Sequence, residues 1–289
     1  MKRILVPTDF TDQSENALEF AYQIAKKIGG EIELLHVLDV PEGDKYIGLE
    51  NIHVGGEVSG NIDMDDIYFV KLLEKTKERF EKILSREDFR DVNIIDRMEI
   101  GTPYKKIIRE TENKRLYMIV MGTSGGSNWE EAFVGSNAER VVRKAKCPVF
   151  TIQNKVDLDS IKNIAYASDF KFNHEHLIDL VKDFGHLLKA RIHLVKINTP
   201  SDFKNDKDNY AILKSFAEKN NFSDYELHVY NHEHEEDGII CFTESFGMNM
   251  IVMATEGKTG FSRLLEGSIA EDVINYSKIP VLIFKTEKI

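Results

Sequence analysis

Apolar residues follow two rhythms along this chain. A short continuous run, Ile4-Leu5-Val6 within residues 3–8, predicts a strand buried on both faces of a parallel sheet, and residues 32–38 predict a second strand. Between them Ala17, Leu18, Ala21, Ile24, Ala25 and Ile28 recur at spacings of three and four. That predicts a helix capped by Thr11 or Asp12 and stopped by Gly29-Gly30. Strand, helix and strand make a βαβ unit, whose crossover forces the two strands parallel. The alternation continues with a helix over 63–84 and a strand over 92–100. Gly101-Thr102-Pro103 then leads into a short helix through Ile107 and Ile108, followed by a strand over 117–121, a helix over 137–144 and a strand over 148–152. Pro41, Gly43, Gly48, Gly55, Gly56 and Gly60 mark residues 41–62 as a long loop, either a functional cover or a surface segment.

The pattern then restarts. Ile164-Ala165-Tyr166-Ala167-Ser168-Asp169-Phe170 parallels residues 4–10 at an offset of 160, and residues 192–197 parallel 32–37 at the same offset. Later, Met250-Ile251-Val252-Met253 parallels Met118-Ile119-Val120-Met121 at an offset of 132, so the second copy lacks most of the glycine-bearing loop. An internal duplication follows, with domains at 1–153 and 163–289 and a mostly polar linker at 154–162. Each half reads as a doubly wound α/β sheet, in which ligands sit beyond the carboxyl ends of the strands where strand order reverses.

Each half carries one candidate ligand loop. Gly122-Thr123-Ser124-Gly125, nine residues and Gly135-Ser136 join a strand to a helix, and Gly257, nine residues and Gly267-Ser268 repeat the spacing. Glycines let a backbone approach a ligand, and the free amides of a helix's first turn, with Ser136 as cap, suit a phosphate. Pro7-Thr8-Asp9 ends the first strand and would face this loop if the first strand lies between the second and the fourth. Asp9 would then accept a ribose hydroxyl or help hold a divalent ion, while Val37 would wall a base; the alternative for Asp9 is a helix cap or turn residue.

Composition narrows the choices. With 42% apolar and 30% charged residues the chain is globular, and its net charge of −11 argues against a nucleic-acid partner. No run of 18 apolar residues offers a membrane span, and the charged start is unlike a secretion signal, so a cytoplasmic location is expected. Cys147 and Cys241 read as reduced, buried thiols.

The residues above resemble the universal stress protein family in two tandem copies that cover essentially the whole chain. Gly122, Gly125, Gly135 and Ser136 meet its G-x-x-G, nine residues, G-[S/T] signature in full; Pro7-Thr8-Asp9 and Val37 match its other positions, and Met121 precedes the loop. The resemblance implies five parallel strands per half in the order 3-2-1-4-5, with helices on both faces. It further implies binding of ATP or a related adenine nucleotide, with or without Mg2+, and pairing of the halves as an intramolecular pseudo-dimer through their last strands, 148–152 and 280–284. Homodimerisation is left open.

The second half departs from the pattern. Ala254 replaces the first glycine and Ala167-Ser168 replaces Pro-Thr, although Asp169, Ile197, Gly257, Gly267 and Ser268 remain as candidates. Glu130-Glu131 stands where the family has Ser-Arg, whereas the second half keeps Lys258, Ser262 and Arg263. Gly257-Lys258-Thr259 is not a P-loop, because Val252 stands where the motif needs glycine. His174-Glu175-His176 and His232-Glu233-His234 would place two imidazoles on one face if they lay on strands, but no further ligand completes either set, and no resident metal is expected. His36, inside a strand, reads as a hydrogen-bonded core residue. No nucleophile and base pair emerges, so the chain reads as a nucleotide-binding regulatory protein and not an enzyme. The competing reading is an interaction scaffold with vestigial crevices.

Overall fold

In the computed structural model, residues 2–39, 64–113, 115–123, 136–171, 175–256 and 269–286 are described. The first half runs β1 (Arg3–Pro7), α1 (Asp12–Ile28), β2 (Glu31–Leu38), α2 (Met64–Leu84), β3 (Ile94–Ile100), α3 (Pro103–Glu110), β4 (Leu116–Gly122), α4 (Ser136–Lys144) and β5 (Val149–Ile152). The second runs β6 (Asn163–Ala167), α5 (Glu175–Leu188), β7 (Arg191–Asn198), α6 (Asp206–Lys219), β8 (Tyr225–Asn231), α7 (Glu235–Ser245), β9 (Met250–Glu256), α8 (Ile269–Tyr276) and β10 (Val281–Thr286).

The ten strands form a single sheet in the order β3-β2-β1-β4-β5-β10-β9-β6-β7-β8. Each half is therefore a parallel 3-2-1-4-5 sheet, as the resemblance implies. Ile4, Leu5 and Val6 are all buried, as expected of a strand covered on both faces. Helix α1 starts where Thr11 accepts the Ser14 amide and ends at Gly29, whose φ of 64° supplies the left-handed cap.

The halves join through the one antiparallel pairing, in which Val281 faces Thr151, Leu282 faces Phe150 and Ile283 faces Val149. Phe150 and Leu282 are the same position in the two copies, so the pseudo-twofold passes through that pair and neither final strand is left as an edge. Phe150 packs edge-on against Phe20 of α1 and Phe184 of α5, at 5.3 and 5.4 Å. One core, under α1, α2, α5 and α6, and another, under α3, α4, α7 and α8, each run across this seam.

The polar linker expected over 154–162 turns out to be a packed strap. Leu158 and Ile161 are fully buried, a 3-10 turn spans Leu158–Ser160, and Gln23 of α1 both donates to the Val156 carbonyl and accepts the Leu158 amide. Two buried apolar side chains and a bidentate amide fix it where charge alone would leave it solvated.

Candidate functional site

The chain leaves β1 through a corner held shut by its own side chains. The Thr8 hydroxyl accepts the Phe10 amide at 3.0 Å and lies 3.1 Å from the Ser14 hydroxyl. Asp9 Oδ1 accepts the Thr11 amide at 3.1 Å and the Thr11 hydroxyl at 2.5 Å. Between these bonds Phe10 adopts φ 63°, a left-handed conformation that costs a non-glycine residue about 1–2 kcal/mol. Its ring is held by His36 and Phe80, at 4.7 and 5.3 Å.

The second half repeats the corner: Ser168 Oγ accepts the Phe170 amide at 3.0 Å, Asp169 Oδ1 accepts the Lys171 amide at 3.0 Å, and Phe170 has φ 58°. Strain kept in both copies marks the place where each half-sheet presents an exposed carboxylate beyond its first strand. Both acids are thus turn residues, as the alternative for Asp9 held, and both also stand at the carboxyl end of the sheet. Partial burial pushes the Asp9 carboxyl up, but the Thr11 bonds outweigh it and leave the group below the usual carboxylate range.

His36 Nδ1 lies 2.7 Å from the Thr8 carbonyl oxygen. A carbonyl only accepts, so Nδ1 carries the proton. Burial lowers the pKa of this ring by more than the Thr8 bond raises it. The side chain is a hydrogen-bonded strand residue, as expected, and it braces the same corner.

Strand register assembles the rest of the first-half site. Leu5 faces Ile119, so Pro7 and Met121 lie two steps on in neighbouring strands; Pro7 faces Leu35 on its other side, two residues before Val37. Alternation puts Pro7, Val37 and Met121 on the face that carries α3 and α4, where Met121 is buried and Val37 is half-buried. Ser136 opens α4, whose first amides have no intrahelical partner. Gly125 and Gly135 lie outside the described residues, as do Glu130 and Glu131, and Gly257, Lys258, Ser262, Arg263, Gly267 and Ser268 in the second half.

Gly122 is explained by a neighbour other than a ligand. A Cβ there would stand 2.5 Å from the carbonyl carbon and oxygen of Gln13 and 2.7 Å from the Ser14 amide, so the glycine lets the first turn of α1 cross the end of β4. The next residue, Thr123, is 2% exposed; its amide bonds the Ile152 carbonyl at 3.0 Å, and its hydroxyl has no hydrogen-bond partner among the described residues. Such an orphan is costly unless a guest satisfies it. Thr123 was not singled out from sequence, because only burial distinguishes it from any other loop threonine.

The second half differs at each matching position. Ile197 is buried, because α7 presses its Gly238 so close that a Cβ would lie 2.6 Å from Ile197 Cγ2. At the His36 position stands Lys196, 1% exposed, whose ammonium donates to Asp202 Oδ2 at 3.0 Å. Lys171 bridges the same Asp202 oxygen, at 3.5 Å, to Asp169 Oδ2, at 3.6 Å. Among the described residues Asp9 makes no ion pair, so the first crevice keeps a free carboxylate where the second has a chain of its own charges.

Other sequence candidates fall away from the crevices. His232 and His234 lie in the turn before α7, with the His232 ring folded back on the His234 backbone, and His176 lies on α5; neither segment is a strand, and His174 is outside the described residues. Cys147 is buried, which pushes its thiol up to about 12, whereas Cys241, expected to be buried, is only partly so. No helix among the described residues is long and apolar enough to cross a membrane.

Comparison with known proteins agrees with this architecture. The universal stress protein family matches twice, over residues 1–153 and 161–285. Universal stress protein MJ0531 of Methanocaldococcus jannaschii is 32% identical over 152 residues, covering 53% of this chain and 82% of its own. Universal stress protein Slr1230 of Synechocystis is 21% identical over 99% of this chain and all of its own length. The crystal structure of a universal stress protein from Archaeoglobus fulgidus superposes with a TM-score of 0.75 at 22% identity, covering 98% of both chains. The chain belongs to the universal stress protein family, a family of stress-response proteins, and carries that family's fold twice in one continuous sheet.

Proposed function

We propose that the first half binds an adenine nucleotide of the ATP type at the carboxyl end of β1, β2 and β4, and that the protein acts by this binding and not by turnover. The observation that carries the reading is the contrast between the two crevices. The same strained corner leaves Asp9 without an ion pair among the described residues, and Val37 is half-buried, whereas in the second half Lys171 links Asp169 to Asp202 and Ile197 is buried under α7. An ionised Asp9 suits a ribose hydroxyl or a divalent ion on the phosphates, Pro7 and Val37, backed by the buried Met121, suit a purine face, and the orphaned Thr123 hydroxyl with the first turn of α4 suits phosphate oxygens. The signature through Gly125 and Gly135 supports the same assignment.

The second half, closed by its own side chains, serves in this reading as the partner that completes the sheet. The test is thermal unfolding with ATP and magnesium, in wild type and Asp9→Ala. A shift that is lost in the variant supports the reading. No shift at millimolar nucleotide, together with no nucleotide released from freshly purified protein, overturns it in favour of the scaffold. Phosphate release that tracks bound ATP and vanishes in Asp9→Ala would instead make the site a slow ATPase.

A further inference from the structure

Away from both crevices, toward the amino ends of the outermost strands of the second half, three side chains converge. His193 of β7 lies directly opposite Glu226 of β8, and His228, two residues on, shares Glu226's face. His193 Nδ1 is 2.9 Å from His228 Nε2, and Glu226 Oε2 is 3.8 Å from the first and 3.6 Å from the second. We propose that these three side chains form a binding site for one divalent transition-metal ion of the zinc class.

The geometry suits an ion better than the plain hydrogen bond it also permits. Four ligands at 2.0–2.1 Å around a tetrahedral ion are separated by roughly 3.3 Å, and the three observed edges bracket that value. His193 is aimed by a fixed partner. The Asn163 amide nitrogen donates to the Gly247 carbonyl at 3.5 Å, which turns Asn163 Oδ1 toward His193 Nε2 at 3.2 Å. That nitrogen must carry the proton, so the Nδ1 lone pair points into the cluster, the arrangement in which histidines bind metals. His228 is held edge-on by Phe242 and Phe246, at 5.1 and 5.5 Å. Glu226 divides its oxygens: Oε1 accepts from Arg191 at 2.7 Å, and Oε2 is left facing the two rings. With a proton on His228 Nε2 the hydrogen bond is satisfied, yet a carboxylate oxygen then faces the His193 lone pair with nothing between them. A cation removes that repulsion.

The first half shows what a closed version of this place looks like. By register, Glu33 corresponds to His193 and Arg97 to His228. There Arg97 donates to Glu33 at 2.7 Å, binds Glu99, and reaches Glu110 at 3.0 Å, while Arg3 takes the other Glu33 oxygen at 3.0 Å. In the second half the guanidinium is replaced by imidazole, and Arg191 is turned outward to Asp224 and Glu226 Oε1. By the same register Glu226 takes the place of Ile95, so the acid has moved to the outer strand and two imidazoles stand where Glu33 and Arg97 stood.

Two imidazole nitrogens and one carboxylate oxygen select zinc or a neighbouring first-row ion over magnesium or calcium, which take oxygen ligands. Burial lowers the pKa of both rings, so they offer lone pairs near neutral pH. Glu226 is half-exposed, giving the ion a way in and leaving a fourth position to water.

The test uses the untagged full-length chain, stripped with a chelator and titrated with Zn2+ in competition with a chromophoric chelator. One zinc per chain is expected, with a rise in Tm. Affinity should fall more than about 100-fold in His228→Gln and Glu226→Gln, and roughly 10–100-fold in Asn163→Leu, which removes only the aiming partner. The double variant His232→Gln/His234→Gln should bind as wild type. Glu226→Gln changes a half-exposed side chain and keeps the site testable if a histidine variant fails to fold. The proposal is overturned if the stripped wild type binds no zinc at micromolar concentration. It is equally overturned if binding survives Glu226→Gln and His228→Gln, or is lost with His232 and His234.

Discussion

The two halves of this protein share a backbone and disagree about charge. Both bend after their first strand through a Thr/Ser-Asp-Phe corner with the phenylalanine left-handed, and both order their strands alike. Yet the first half sets a half-buried arginine among glutamates on its outer strands and leaves the crevice acid Asp9 without an ion pair among the described residues, whereas the second puts histidines on its outer strands and pairs its crevice acid with Lys171. Duplication has preserved what the sheet needs and released what a ligand would see. Side chains at matched positions, with backbone held constant, therefore separate structural demand from function better than either half alone.

Four measurements would break or sharpen that contrast. The largest effect is expected where α1 crosses β4: Gly122→Ala drives a Cβ into Gln13 and should destabilise by about 3 kcal/mol, whereas Ala254→Gly at the matching position should cost under about 1 kcal/mol. Urea unfolding of both variants checks this, and equal losses would mean the two junctions are alike. Next is nucleotide. At 100 times its dissociation constant, ATP should add about 2.7 kcal/mol to wild type and to Asp169→Ala, but nothing to Asp9→Ala. A shift that depended on Asp169 instead would place the ligand in the wrong half.

Third, Asp202→Ala strands the buried Lys196 ammonium and should cost about 2 kcal/mol, while Lys196→Met, which leaves the partly exposed Asp202 to water, should cost less. The reverse order would show that the lysine is held by something other than this acid. The smallest effect is in pH. The folded pKa of His36 lies below the usual 6.5 or so, so the unfolded chain binds more protons between those two values. Its contribution is complete above about pH 6.5 and is lost as pH falls toward the folded pKa. His36→Gln, which can still donate to Thr8, should flatten that part of the stability curve, and an unchanged slope would remove His36 from the comparison.

Much of the fold was legible because it rests on local pattern. Ile4-Leu5-Val6 can only be a strand covered on both faces, and the offsets of 160 and 132 exposed the duplication without any contact being known. The site was legible in part. Alternation along β1, β2 and β4 places Pro7, Val37 and Met121 on one face, whereas the close approach of Gln13 to Gly122 and the burial of Thr123 exist only in the folded chain. The two His-Glu-His segments drew attention by being adjacent in sequence, while His193, Glu226 and His228 come together only through the pairing of β7 with β8.

By itself, then, the order of apolar and polar residues determined the elements and the repeat, while the strand order came from the family likeness. The elements and the repeat depend on neighbours along the chain or on a period that the chain displays. Tertiary structure alone decided which acid is free, which glycine is pressed by a helix, that the strap at 154–162 is packed, and that two strands bring three metal-binding side chains within reach. Those outcomes depend on distances between residues tens or more positions apart, and such distances exist only once the sheet has set its register.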